Sequence, residues 1–571
     1  MPIAKATLKY RHENNTFIFS CPPWINDLAR SIPNRRWNNN AKVWVAPALR
    51  ANAQYFSDLG PDVDVTPDAK SKIQEVLERA SNIKRSTFPA WFGFKVKPWK
   101  FQLDCLNFMY GQKVGGLLMD MGTGKTKCWL DIACCYRAEG KIEQALVVCP
   151  LTIHGEWIKA VNEHAAFPIS VYSLDTRKKK DFERWLDTEH DFKLLLVGVE
   201  SMSTGGAAGM AEAFLRRSLK NAMLVDESSN IKNHRAARTE ACISLGKLCE
   251  YRHIATGTPI AHGPCDFFAQ FEFLDTDIIG IGDFWSFRNR YAIMGGFEGK
   301  QIVGYQNIEE LLELVKPFVF QALKKDVFPD LPPKVYTTRA VKMSKEQEDI
   351  YKHFKRKVEI EIGEQKATVK NILVRMLRLS QITAGFWVSE TEELDEDGAV
   401  VNTDITVNEL PNPKVSEMLR VVEESDLPTI IWSNHLYELH KVVSVLTEKY
   451  GKDQVVAMHG GVPKEERAGL VKRFQAGEAR FFVGNTQTGG IGLNLFKAQI
   501  MIYMSNSYKL IDRLQSEDRA WRAGQTNRLT IIDIVTENSI DGNVLKCLES
   551  KTDVAEYVRE QIKSNTPGQI W

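Results

Sequence analysis

The stretch Met119-Asp120-Met121-Gly122-Thr123-Gly124-Lys125-Thr126 is where residue types and spacing first imply chemistry. Glycines let backbone N–H groups curl around phosphate oxygens, the ammonium meets the β- and γ-phosphates, and the adjacent hydroxyl reaches Mg²⁺. The general pattern opens on a glycine where this chain has Met119. Further along, the apolar run AMLVDE closes on Asp226-Glu227. Adjacent carboxylates at a strand end can divide two tasks, Asp226 holding Mg²⁺ through water and Glu227 orienting and deprotonating an attacking water. Phosphoryl transfer also needs positive charge at the γ-phosphate in the transition state. Gln515-Ser516-Glu517-Asp518-Arg519-Ala520-Trp521-Arg522 offers two arginines three apart, which on a helix share a face. An isolated pair of that kind is usually a solvated surface; its meaning here comes from the other two elements.

Such groups need a framework that presents strand ends to one ligand. From about residue 114 to 258, short β-rich runs (VGGLLM, ALVVCP, ISVYSL, KLLLVGV, AMLVDE, YRHIATG) alternate with helical stretches, which predicts βαβ units and a parallel sheet. The rhythm returns from about 428 to 536 in TIIWS, VVAMHG, RFFVGN, QIMIYMS and LTIIDIVT. Residues 263–385 lose it and carry long helical patterns such as IEELLELVKPFVFQALKK, so a helical insert is expected at the junction. The acidic run Glu390 to Asp397 reads as a solvated loop.

Composition bounds the rest. A chain of 571 residues with 44% hydrophobic and 26% charged residues is globular and multidomain, which excludes wholesale disorder and a single small module. The 74 basic against 72 acidic residues leave +2, so affinity for a polyanion must come from local patches. Candidates are Lys84, Arg85, Lys95, Lys97 and Lys100, interleaved with Phe92, Phe94 and Trp99, and the cluster Lys352, Lys355, Arg356 and Lys357. Ten cysteines without a C-x-x-C pair, no apolar leader and no run of about 18 apolar residues suggest a protein working in solution in a reducing interior, with no membrane partner.

The motifs, in this order, resemble superfamily-two helicase-type ATPases, and more closely the Swi/Snf-related branch of DNA translocases, over roughly residues 95–545. MDMGTGKT resembles motif I, VVCPLTIHGEW motif Ia, VDESSNIKN motif II, ATGTPIAHGP motif III, IIWSNH motif IV, GNTQTGGIGLNL motif V and QSEDRAWRAGQ motif VI, while ALKKDVFPDLPPK is similar to a segment particular to this branch. The resemblance implies two RecA-like α/β lobes closing on ATP and Mg²⁺. Gln102 would read adenine, and Met121, Gly122, Thr123, Gly124, Lys125 and Thr126 would hold the nucleotide. Thr126 and Asp226 would hold the metal, and Gln515, Arg519 and Arg522 would join Lys125, Asp226 and Glu227 in catalysis. By motif position, Thr152, Trp157, Ser433, Asn434, Thr486, Gly489 and Gly490 would touch the DNA backbone. Two residues depart from the pattern, Ser229 and Trp521, each standing where relatives carry histidine.

Ile32 to Trp37 and Lys42 to Trp44 are similar to the small HARP-type module of annealing helicases, which implies DNA contacts from Arg35 and Arg36; Trp37 and Trp44 are expected in the core of a small β-domain. The expected layout is a module at 1–65, a basic and aromatic linker at 66–94, a first lobe at 95–262, a helical insert and brace at 263–412 and a second lobe at 413–571. The expected activity is ATP-driven movement on duplex or forked DNA by a monomer. The rival expectations are a strand-separating DNA or RNA helicase and a nucleotide-gated DNA-binding scaffold. A bacterial or viral-infected cytoplasm, or a nucleus if the source is eukaryotic, is the expected location.

Overall fold

The computed structural model describes residues 5–12, 16–23, 26–60, 62–81, 86–257, 263–295, 301–363, 369–394, 400–486, 494–522 and 524–549. The chain divides into two compact units, Met1–Val327 and Phe328–Trp571.

The first unit begins with strands β1 (Ala6–Arg11), β2 (Thr16–Ser20), β3 (Arg36–Asn38), β4 (Val43–Pro47) and β5 (Val63–Val65), in the sheet order β3-β4-β2-β1-β5. Leu8, Phe17, Phe19, Ile32 and Phe56 form its core. Trp37 does not join them: it is 45% exposed, with Trp44 half-buried against it at 5.0 Å. β3 is the outermost strand and only three residues long, so among the described residues no further strand pairs with it on Trp37's free side. The module packs on the loop after the helix Phe267–Leu274. Gly280, at φ 72°, comes so close to the helix Arg50–Ser57 that a Cβ there would lie 2.9 Å from Ala51 N, and a Cβ on Gly282 would meet Leu49 at 3.2 Å. A side chain at position 280 is therefore opposed by both backbone conformation and space.

The rest of this unit is built on β6 (Val114–Met119), β7 (Gln144–Cys149), β8 (Ser170–Ser173), β9 (Lys193–Gly198), β10 (Asn221–Asp226) and β11 (Tyr251–Thr256), a hairpin β12 (Ala292–Gly295) and β13 (Gln301–Tyr305), and β14 (Val319–Ala322). Its main sheet runs β14-β6-β11-β10-β7-β9-β8, and every pairing in it is parallel. Both faces are covered by separate apolar clusters, one around Trp129, Tyr136 and Trp157, the other around Phe182, Phe214 and Phe271. That is why its central strands are apolar throughout rather than alternating. Phe88, Phe92 and Phe94 pack on one another within 5.7 Å, so two of the aromatics read as interleaving a basic surface belong to a core cluster. Lys84 and Arg85 lie outside the described residues.

The second unit holds β15 (Lys334–Val341), the hairpin β16 (Phe386–Leu394) and β17 (Val400–Glu409), and β18 (Thr429–Trp432), β19 (Val455–Met458), β20 (Phe481–Gly484), β21 (Ile500–Tyr503) and β22 (Leu529–Thr536). Its sheet order is β15-β22-β21-β18-β20-β19, again wholly parallel. The expected two parallel-sheet lobes with an N-terminal β-module are present.

The segment read as a helical insert is mixed. The helix Ile308–Val315 stops at Pro317, which lacks the N–H needed to continue it, and the following apolar residues become β14 at the edge of the first sheet. β15 closes the edge of the second sheet in the same way. The acidic run is not all loop: Glu390 to Leu394 belongs to β16, paired with β17. No helix among the described residues is long and apolar enough to cross a membrane.

Candidate nucleotide site

β6 ends at Met119 and the helix Lys125–Ala138 begins shortly after, so the intervening turn lies at the C-terminal edge of a parallel sheet. Gly122 and Gly124 take φ 79° and 88°, which turns the chain sharply enough to start the helix. Lys125 Nζ donates to the carbonyls of Met119 at 2.9 Å and Asp120 at 3.4 Å. Gln102 lies against the same turn: its Nε2 donates to Thr123 O at 2.9 Å and its Oε1 accepts from Trp99 N at 3.0 Å. A Cβ on Gly124 would fall 2.4 Å from Gln102 Nε2, so the close approach of the amide depends on glycine there. Thr123 is buried; Met121 and Thr126 are half-buried.

Asp226 ends β10 and is 6% exposed. Its Oδ2 accepts from Trp157 Nε1 at 2.9 Å and its Oδ1 from the Glu227 N–H at 3.0 Å. Burial holds the carboxyl above the usual carboxylate range, while the nearby Lys125 charge and the Trp157 and Glu227 hydrogen bonds pull it back. Glu227 sits at φ 52°, ψ 54°, a left-handed conformation uncommon outside glycine, asparagine and aspartate. Its Oε2 lies 3.5 Å from the Thr256 hydroxyl at the end of β11. Lys125, Asp226 and Glu227 thus gather where β6, β10 and β11 end, around the glycine turn that starts the helix Lys125–Ala138.

In the second unit, Gln515 lies on the helix Leu510–Glu517. That helix ends at Glu517, so Arg519 and Arg522 do not share its face as their spacing predicted. They stand in the turn that follows, held by Arg519 N to Ser516 O at 3.3 Å and Leu495 N to Arg519 O at 2.9 Å. The helix itself is anchored by charge: Glu517 accepts from Arg513 at 2.7 Å, Lys334 at 2.7 Å and Tyr336 at 2.8 Å, and Arg513 also meets Asp533 at 2.6 Å. Arg519 is 4% exposed, whereas Arg522 is half-buried.

Residues 101–385 match the SNF2-related domain, and residues 413–524 match the helicase conserved C-terminal domain. The chain belongs to the SNF2-related family of helicase-type ATPases. It is 24% identical to the chromatin structure-remodeling complex subunit snf21 of Schizosaccharomyces pombe, over 93% of this chain and 45% of that protein. It is 22% identical to the ATP-dependent helicase fft1 of the same organism, over 82% of this chain and 54% of that protein. Among solved structures, the Sulfolobus solfataricus SWI2/SNF2 ATPase core in complex with dsDNA is 20% identical, with a TM-score of 0.38, over 84% of this chain and 98% of that one. The chain spans about half or less of the length of these curated relatives.

Each of the two departures from the SNF2-related pattern stands at or beside a structural tie. Next to Ser229, the buried Ser228 hydroxyl donates to Gln270 Oε1 at 2.6 Å, and Gln270 Nε2 donates to Asp266 O at 2.8 Å, so motif II is tied to the helix Phe267–Leu274 by a neighbour of the substituted position. Trp521 donates to Pro332 O at 2.8 Å and carries the Lys334 ammonium 4.6 Å from its ring. The branch-particular segment meets the phosphate turn directly: Lys324 N–H donates to Asp120 Oδ2 at 2.8 Å, and Asp120 N–H to Ala322 O at 2.9 Å.

The residues read as DNA contacts are not alike. Thr152 is exposed and Asn434 half-buried. Trp157 is not a surface residue: at 1% exposure it packs edge-on to Trp129 and serves Asp226. Ser433 is buried as well, its hydroxyl within donating distance of either His435 O or Glu438 Oε2 and accepting from His435 N, which makes it a turn-forming residue. Thr486 is buried, and Gly489 and Gly490 lie outside the described residues. Arg35 and Arg36 are both exposed, and Arg35 also lies 5.5 Å from the Trp44 ring centroid. Ser228, Gln270 and Asp120 carry no signal in the sequence, since their partners come from distant segments.

Proposed function

We propose that this protein hydrolyses ATP when bound to DNA and uses the cycle to move along duplex or branched DNA, annealing or remodelling forks without having to prise strands apart. The observation that carries the reading is the meeting of Lys125, Asp226 and Glu227 at the strand ends of one parallel sheet. Family membership supplies the DNA dependence, and the names of its relatives, a chromatin remodelling subunit and an ATP-dependent helicase, point the same way.

In this reading the turn Met121 to Thr126 wraps the phosphates, and Lys125 exchanges its carbonyl partners for the β- and γ-phosphates. Gln102 already contacts that turn, so adenine recognition and phosphate binding share one side chain. Mg²⁺ arriving with ATP would be held by Thr126 and, through water, Asp226, supplying positive charge to the phosphates. The oxygen-only donors suit a hard cation bound mainly by substrate; no cluster of three or more His, Cys, Asp or Glu stands ready to hold a metal among the described residues. Glu227 takes a proton from the water that attacks the γ-phosphorus, and ADP leaves. Gln515, Arg519 and Arg522 are assigned to the transition state, the arginines as its counter-charge. Thr152, Asn434, the motif V segment, Arg35 and Arg36 are assigned to the DNA backbone, where contacts position without specifying sequence.

Steady-state phosphate release with no nucleic acid, single-stranded DNA, duplex DNA, forked DNA and RNA tests the reading. Forked or duplex DNA should stimulate most; equal stimulation by RNA overturns the DNA assignment, and no stimulation by any of them overturns the coupling.

A further inference from the structure

A short way beyond Glu227, the chain presents a surface that the ATPase chemistry does not use. Trp285, on the helix Phe284–Tyr291, is 47% exposed and carries two guanidinium groups, Arg288 at 4.5 Å and Arg235 at 4.8 Å from its ring centroid. Beside them His234 stacks on Phe284 at 3.9 Å. Among the described residues neither Arg235 nor Arg288 has a carboxylate within ion-pair distance, and Arg288 Nε lies out of solvent with no hydrogen-bond acceptor. Asp283, the nearest acid in sequence to Trp285 and Arg288, caps the helix through Ser286 N at 2.9 Å, and Asp266 faces Lys232 at 3.8 Å. Two like charges gathered on one ring repel each other, and the aromatic face offsets that only in part at an exposed site. The missing member of such an arrangement is an anion that both can reach.

We propose that Arg235, Trp285 and Arg288 form a binding surface for a nucleic-acid phosphodiester backbone, separate from the helicase motifs and with Trp285 as the positioning residue. The inference rests on the reading of this chain as a DNA-stimulated ATPase. Guanidinium forks match phosphate oxygens, and the ring fixes where both forks stand. Placement supports a nucleic acid over a small anion. Trp285 follows Gly282 by three residues, Trp44 precedes Pro47 by three, and Gly282 abuts Leu49 within the same unit. Three residues span at most about 11 Å, so the Arg35 and Trp44 cluster and the Arg235 and Trp285 cluster flank a single junction, a spacing that an extended polyanion can bridge. The surface is also joined to the hydrolytic carboxylate. Ser228, next to Glu227, bonds Gln270, Gln270 bonds the Asp266 carbonyl, and the Asp266 carboxylate faces Lys232, three residues before Arg235.

The test is a titration of the full chain, without nucleotide, into a fluorescein-labelled duplex across a salt series, alongside phosphate release. Arg235→Glu and Trp285→Ala should weaken binding at least tenfold at low salt, and Arg235→Glu should reduce the magnitude of the log–log salt slope by roughly 0.9 for each phosphate it no longer neutralises. Arg235→Lys should retain most of the slope, and DNA-independent hydrolysis should be unchanged in every variant. If the native chain binds and both disruptive variants match it in affinity and slope, the proposal is overturned. Loss of self-association in sedimentation with DNA binding intact would make the surface a protein interface and overturn it equally. A native chain that neither binds duplex nor is stimulated by it overturns the functional reading instead, and this inference with it.

Discussion

The Trp157 indole N–H donates to the Asp226 carboxylate at 2.9 Å, joining the helix His154–His164 to the end of β10. This bond favours the charged form of the buried carboxylate against the pull of burial, and the charged form is the one that the proposed Mg²⁺ role needs.

Trp157→Phe keeps an aromatic ring in the core and removes that bond together with part of the ring that packs against Trp129. A hydrogen bond to a charged group is worth about 1.5–3 kcal/mol, so kcat/KM for MgATP should fall roughly tenfold or more, with a higher Mg²⁺ requirement. The bond lowers the Asp226 pKa, so its removal raises it, and the acid limb of the activity profile should move to higher pH. ATPase assays across Mg²⁺ and pH decide; an unmoved acid limb would mean that Asp226 does not need this partner.

Glu227→Gln should bind nucleotide and lose hydrolysis, because only the proton acceptor is removed. Lys125→Ala should weaken nucleotide binding itself. Equilibrium binding of a fluorescent ATP analogue, paired with phosphate release, separates the two, and native turnover by Glu227→Gln would remove the motif II assignment.

Arg522→Ala should lower turnover at least tenfold with little change in nucleotide affinity or melting temperature, as expected of a half-buried group acting on the transition state. Arg519→Ala should lower turnover similarly and also lower the melting temperature, because Arg519 is buried. The double variant should be non-additive in turnover if both serve one charge. Small additive effects would return the pair to a structural role.

Two buried histidines, one in each unit, should set an acid limit to stability. Burial pushes His253 down to about 4, and burial with the Lys414 charge does the same to His435. The unfolded chain therefore takes up protons first as pH falls below about 6.5, and stability present above that value is lost on the way to about 4, by ~3 kcal/mol for each histidine. His253 accepts from Trp129 Nε1 at 3.2 Å, so His253→Gln keeps an acceptor there and should move the acid transition of the first unit to lower pH. Tryptophan fluorescence during acid titration would show it; an unchanged transition would locate the acid limit elsewhere.

Both parallel sheets are legible from apolar runs alternating with helical stretches, because strands covered on both faces leave a signal in every residue. The phosphate turn is legible too, since Gly122, Gly124 and Lys125 act through local geometry. What escapes is whatever depends on distant partners. Trp157 reads as a DNA contact by motif position until β10 supplies Asp226, and Arg519 with Arg522 reads as a helix face because nothing local announces that the helix ends at Glu517. Trp37 looks like core by type, but it lies on an edge strand. β14 looks like more helix, since its four residues are too short to show a period of their own.

Glu227 holds a left-handed backbone that costs a residue with a side chain roughly 1–2 kcal/mol and costs glycine almost nothing. Selection for a durable fold alone would therefore drift toward glycine or asparagine at this position, and every such replacement removes the carboxylate. The two pressures oppose each other at a single codon. In a lineage that no longer needed hydrolysis, Glu227 would be among the first residues to decay, while Asp226, fixed by Trp157 and by the Glu227 backbone N–H, would outlast it.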